Sequence, residues 1–200
     1  MPRVLQTRAV ADNLRPDGTR WDQLSLVREA TTGQRRAVMR AGVRPEFASL
    51  AGWEFAGINC PWVTTLVGIR KFKKGFYRGP SRGAGPEPFI QGYNVGARQD
   101  GIDRPPVAKP SEERPKRYGF YRVYAADAGP RRHHDHALLL DYGRGGNFAL
   151  DPAGLLRDYL VQVYPDDPDL LLGHAFGAVG VWVPVAYFVL QRMNEHDFEG

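Results

Sequence analysis

The chain of 200 residues holds a single cysteine, Cys60. That excludes an intramolecular disulfide framework and agrees with a reducing compartment. Long apolar runs are also missing. The richest stretch, Val179 to Leu190, is interrupted by Pro184 and falls far short of the ~20 residues needed to span a bilayer. No apolar segment follows the polar start MPRVLQTRAVADNLRPDG, so no secretory signal is legible and a cytoplasmic protein is expected. Zinc-finger spacing, a phosphate-binding loop, a nucleophile elbow and RNA-binding signatures are all absent.

Acidic residues are scarce in the first two thirds and basic ones in the last third. From His133 onward only Arg144, Arg157 and Arg192 oppose ten acidic residues, a balance of −7. Residues 1–132 therefore carry +12, within a net +5 for the chain. A basic half can serve nucleic acid. Without a binding motif it reads as an Arg-rich surface, and nucleic acid is not an expected partner.

The chain divides at about residue 50. Residues 1–50 read as a helical N-terminal extension. Thr19 or Asp22 could cap a helix carrying Leu24, Val27 and Ala30, and the pattern loosens at Thr31-Thr32-Gly33. Gly42 reads as a stop, and Pro45-Glu46 as the start of another helix.

Over residues 51–200 the period changes to two. Strand-like runs begin at Gly52 and at Lys71, separated by a short helix expected over Pro61–Gly68. Others span Phe89–Arg98, Arg117–Tyr124, His136–Tyr142, Leu155–Tyr164, Leu170–Ala178 and Val181–Arg192. In the Lys71 run, Phe72, Lys74 and Phe76 share a face. Pro165–Asp169 reads as a hairpin turn, and Asp100–Pro115 as an exposed, mobile loop. Strands joined without intervening helices exclude a parallel α/β sheet. The expected fold is mainly β: an antiparallel, about eight-stranded barrel or strongly curled sheet, because closure removes exposed edges.

Trp53-Glu54-Phe55-Ala56-Gly57 resembles the opening of lipocalin-like (calycin-type) barrels, including bacterial G-x-W-x-G families and nitrobindin-like proteins. The closing runs Asp169–Gly173 and Val185–Leu190 resemble the ends of those families. In this chain Gly52 stands directly before Trp53 rather than one residue further back. The resemblance implies a lipocalin-like barrel enclosing a small apolar ligand, and it carries over no catalytic residues.

Strand aromatics interspersed with arginine suggest a mixed pocket. Trp53 is expected at the closed end. Tyr118, Phe120, Arg122 and Tyr124 alternate as one lining face, with Arg157 and Tyr187 as further ligand-binding candidates. A buried arginine would need Asp158 or an anionic ligand group as its partner. The occupant expected is therefore a small hydrophobic or anionic amphipathic molecule, fatty-acid-like in outline. The alternatives are a non-covalent cyclase or isomerase using the same cavity, and an interaction module with a filled barrel. An enzyme would show acid and base groups converging in the cavity.

His133-His134-Asp135-His136 offers an H-x-H pair, which is two metal ligands where a tight site needs more. His174 alone would suit haem through the nitrobindin resemblance but reads better as a structural residue. No metal and no cofactor is expected. Cys60 reads as a structural thiol.

Overall fold

A computed structural model of the chain describes residues 13–60, 68–79, 90–128, 133–148 and 151–200. Eight antiparallel strands close on themselves in chain order: β1 (Trp53–Asn59), β2 (Lys71–Arg78), β3 (Ile90–Gly96), β4 (Arg117–Ala125), β5 (Leu138–Asp141), β6 (Leu156–Tyr164), β7 (Asp167–Val179) and β8 (Val181–Glu195). The barrel closes where Gly57 of β1 faces Leu190 of β8. The turn between β6 and β7 is tighter than its composition implies, with β7 already begun at Asp167. The helix expected over Pro61–Gly68 lies outside the described residues except for Gly68.

Among the described residues three short helices precede the barrel: α1 (Gln23–Arg28), α2 (Thr32–Ala41) and α3 (Phe47–Leu50). Asp22 caps α1 by accepting from the Ser25 amide, while the Ser25 hydroxyl returns to the Asp22 amide. Thr31 and Gln34 make the same reciprocal box for α2. Each box satisfies amides that a helix start leaves without partners. Gly42 ends α2, as its position suggested. Among the described residues no helix is long and apolar enough to cross a membrane.

Two cores result. The inner one fills the lower barrel with Phe55, Phe76, Ile90, Tyr121, Val123, Leu138, Leu140, Leu160, Leu171 and Leu190. Leu50 of α3, fully buried, joins it and plugs that end, with Phe47 and Trp53 packed against the same cluster. Arg192 lies 4.5 Å over the Trp53 ring. Rings lie over glycines of neighbouring strands, Tyr121 over Gly92 and Phe188 over Gly173, where a Cβ would come within 2.3 and 2.0 Å of the ring.

The outer core seats α1 and α2 on the outside of β6, β7, β8 and β1, burying Leu26, Val27, Val38, Met39, Val161, Leu172 and Val189. Each such fully buried aliphatic chain contributes roughly 1.5–3 kcal/mol. Cys60 belongs to this layer, where burial pushes its thiol up to about 11. The thiol therefore stays protonated.

The stretch expected as a loose loop after β3 is instead folded onto the barrel. Arg98 N–H donates to Val107 O, Lys109 N–H donates to Gly96 O, and Ile102 and Ala108 are buried. Its carboxylates explain the fold-back. Asp100 meets the Lys71 amine and Glu112 the Lys73 amine, two buried ammonium groups on the outward face of β2.

Candidate functional site

The barrel is full below and open above. At the end opposite α3 a cavity of about 250 Å³ sits inside the mouth, with predominantly apolar walls from Phe72, Phe188, Ala175, Val185, Leu156 and Tyr118. Lys74, Tyr142, Asp158 and Asn94 also line it.

Each polar group arrives from a different element of the barrel. Lys74 alternates with Phe72 and Phe76 on the inward face of β2, and Asp158 comes from the start of β6. Tyr142 opens the 3-10 turn Tyr142–Arg144 that ends β5. Asn147 clasps that turn to β4, accepting from the Phe120 amide at 2.8 Å and donating to the Phe120 and Tyr142 carbonyls at 2.7 and 2.8 Å. Gly145 permits the approach, because a Cβ there would stand 1.7 Å from Phe120 O.

The hydrogen bonds run in one direction. Lys74 Nζ donates to Tyr142 Oη at 2.6 Å, and Tyr142 Oη donates to Asp158 Oδ2 at 3.0 Å. Lys74 also reaches Asp158 Oδ2 directly at 3.1 Å, and Asn94 Nδ2 donates to Tyr142 Oη at 3.3 Å. Rings of Tyr121, Tyr142 and Phe188 stand 4.5, 5.1 and 5.2 Å from the amine. Burial pulls the Lys74 pKa below the usual lysine value, against the Asp158 charge, which raises it. Burial and then the Asp158 charge hold the Tyr142 phenol well above its ordinary range, so it remains a proton donor. An amine, a phenol and a carboxylate thus converge on one apolar cup.

The expected lining face of β4 needs correcting. Tyr121 and Val123 point inward, while Phe120, Arg122 and Tyr124 lie on the outward face. Phe120 packs with Tyr93 and Phe198, Arg122 stands opposite Asp141, and the Arg144 guanidinium covers Tyr124. The cause is a bulge. Gly92 pairs with Tyr121 but Asn94 pairs with Tyr118, so β4 carries one extra residue, and Gly119 absorbs it with φ +54°. An extra residue inverts the parity beyond it. Tyr118 consequently lines the cavity although its apparent alternation partners do not.

Arg157 is also outside, its Nε 2.9 Å from Asp141 Oδ1, and Tyr187 stacks on His174 in the outer layer. Trp53 sits at the plugged end. Of the residues singled out from the sequence for binding, the structure brings only Tyr118 to the cup. Lys74, Tyr142 and Asn94 were missed as members, and Asp158 was found with the wrong partner.

Four of the five histidines, His133, His134, His136 and His174, form a separate outer cluster. His134 Nε2 and His174 Nδ1 stand 3.2 Å apart, one donating and the other accepting. His136 faces Met39 O at 2.8 Å, and His133 stacks on Phe176 at 4.8 Å. Among the described residues, no group of three or more His, Cys, Asp or Glu is placed to hold a metal ion. His174 projects from the barrel's outer face, away from the cup.

Burial, then neighbouring positive charge, lowers both His134 and His174 to about 4. The unfolded chain binds protons at these rings below its ordinary value of 6.5, whereas the folded chain resists until about 4. Their contribution is thus present above pH 6.5 and is lost as pH falls from 6.5 to 4. For two partly exposed rings sharing one repulsion, the loss expected is ~2–4 kcal/mol in all. Urea unfolding at pH 7 and pH 4.5 should show the fall shrinking in His134→Asn/His174→Phe. Parallel falls in the two proteins would mean that these rings do not carry it.

No protein-family model matches the chain, and no curated protein matches it.

Proposed function

We propose that the protein binds a small, mostly apolar molecule at the barrel mouth and holds the ligand's polar group on the floor of the cup. The observation carrying this reading is the desolvated Lys74–Tyr142–Asp158 cluster beneath apolar walls. Ligand sites pair such walls with a few convergent polar groups. A cavity of about 250 Å³ suits a ring-sized occupant better than a long acyl tail, since the described side chains below it are closely packed. Asp158 already opposes the Lys74 charge, which favours an uncharged polar group such as a carbonyl or hydroxyl over a carboxylate. Apolar side chains at the same end, Ile69, Leu155, Val181 and Val183, are exposed and would form a greasy approach.

A ring alcohol, 2-naphthalenemethanol, titrated by its own fluorescence, tests the reading. Saturable binding is expected in the native protein and loss of binding in Ala175→Phe, which fills the cup, with the thermal melt as a folding control. Equal binding by the two proteins would place the occupant elsewhere, and no binding by the native protein would end the reading.

The same cluster favours an enzymatic reading as well. Acid and base groups converge in the cavity, which a plain container does not need.

A further inference from the structure

We propose that Lys74 is a covalent ligand residue, whose amine condenses with an aldehyde or ketone of a small apolar molecule seated in the cup to form an imine. The proposal rests on the cup being a ligand site, and it names the ligand's reactive group.

The five lysines of the chain make the comparison internally. Lys71 and Lys73 are buried on the outward face of β2, each against a carboxylate of the folded-back segment, Asp100 or Glu112. They hold that segment to the barrel. Lys109 and Lys116 lie on exposed stretches. Lys74 alone points inward, 1% exposed, among aromatic rings on a wall that a ligand would touch. A buried ion pair adds little stability over well-packed apolar side chains of the same volume. Its retention where a cavity meets it therefore points to chemistry. An amine without water around it is held toward its uncharged, nucleophilic form, the general route to imine-forming lysines. Burial acts on Lys74 in that direction.

The neighbours supply the proton movements. The Lys74 ammonium first gives one proton to Asp158, 3.1 Å away. The free lone pair then attacks the carbonyl carbon, forming the C–N bond, while the C=O π pair moves to oxygen. Tyr142 gives its phenolic proton to that oxygen and recovers one from Asp158 along their 3.0 Å hydrogen bond. The carbinolamine nitrogen sheds its surplus proton to Asp158. A proton returned through Tyr142 lets the C–O bond break and water leave, and the C=N bond forms. Carbonyl compound and amine become imine and water, with no oxidant or reductant required. The Asp158 carboxylate then faces any protonated imine.

The test uses the full chain with 2-naphthaldehyde and sodium cyanoborohydride, which reduces an imine to a stable amine, followed by peptide mapping by mass spectrometry. A single saturable adduct on Lys74 is expected, forming about 10-fold or more faster than any on Lys109 or Lys116. Excess 2-naphthalenemethanol should slow it. Tyr142→Phe should cut the rate at Lys74 about 10-fold or more at saturating aldehyde, a loss beyond any weakening of alcohol binding measured in the same variant. Lys74→Met/Asp158→Leu, which removes both charges together, should give no adduct there. Alcohol binding without an adduct on Lys74 would overturn the covalent proposal and leave the binding reading standing. Adducts confined to Lys109, Lys116 or the chain terminus would overturn it too. Absence of both adduct and binding would remove both readings.

Discussion

Lys74→Met should destabilise the fold by about 3–5 kcal/mol, and adding Asp158→Leu should recover most of that loss. The single change leaves the Asp158 carboxylate inside the barrel with, among the described residues, only Tyr142 donating to it, at 3.0 Å. Lys74 and Asp158 are only 1% and 5% exposed, so water is a poor replacement for the missing partner. A buried charge stripped of its counter-charge is among the few single-site changes with so large a cost. Removing both partners leaves a neutral floor beside Phe72, Tyr121 and Phe188, in which Asn94 still donates to Tyr142 Oη. Urea unfolding of the four proteins of the cycle, at constant m-value, yields the coupling directly. About 2 kcal/mol or more is expected between the two sites. Strictly additive single changes would show that the amine and the carboxylate do not depend on each other.

Gly145→Ala is the second large effect, at about 2–4 kcal/mol of stability. The added Cβ would meet Phe120 O at 1.7 Å, Phe120 C at 2.1 Å and Tyr121 N at 2.5 Å, all main-chain atoms. No rotamer change relieves that, so the Tyr142–Arg144 turn must lift from β4 and break the Asn147 clasp. Tyr142 moves with it, and alcohol binding in the cup should weaken along with the fold. Gly146→Ala is the matched control. Nothing lies within 4 Å of a Cβ there, and only the left-handed φ of +76° is strained, at about 1 kcal/mol. Similar losses in the two variants would show that the approach of turn to strand is not the cause.

Much of the barrel was legible because half-buried strands write their period into the chain. All eight strands fall within or close to the runs read from alternation, and helix-free connections forced an antiparallel order. Asp22, one of the two caps the sequence offered, and Gly42 marked helix ends through local chemistry that needs no tertiary knowledge, while Thr31-Thr32-Gly33 showed only as a loosened pattern where one helix gives way to the next. The site was harder. Tyr118-Gly119-Phe120-Tyr121-Arg122-Val123-Tyr124 alternates cleanly on paper, but one inserted residue at Gly119 reverses which members face in, and composition does not announce it. Phe72-x-Lys74-x-Phe76 did place a cation among inward rings. Its ambiguity lay in Lys71 and Lys73, whose partners Asp100 and Glu112 sit on a segment that sequence alone reads as loose. The physical rule that an interior cation must meet Asp158 was sound. It applied to Lys74, two strands away from the arginine that first suggested it.

The wrapping of the N-terminal segment over β6 to β8 sets the order in which the chain can mature. Asn13 Nδ2 donates to Val163 O across 150 residues of sequence, and the Trp21 amide donates to the Tyr164 hydroxyl across 143. A ribosome delivers α1 and α2 first, yet the surface that shelters Leu26, Val27 and Met39 emerges almost last. Barrel closure between β1 and β8 waits just as long. Such distant pairings place folding in the slow regime typical of non-local β topologies, milliseconds to seconds rather than microseconds. Throughout synthesis the apolar faces of both helices remain without their cover, so the growing chain has more need of chaperone shelter than the finished protein's modest apolar content suggests.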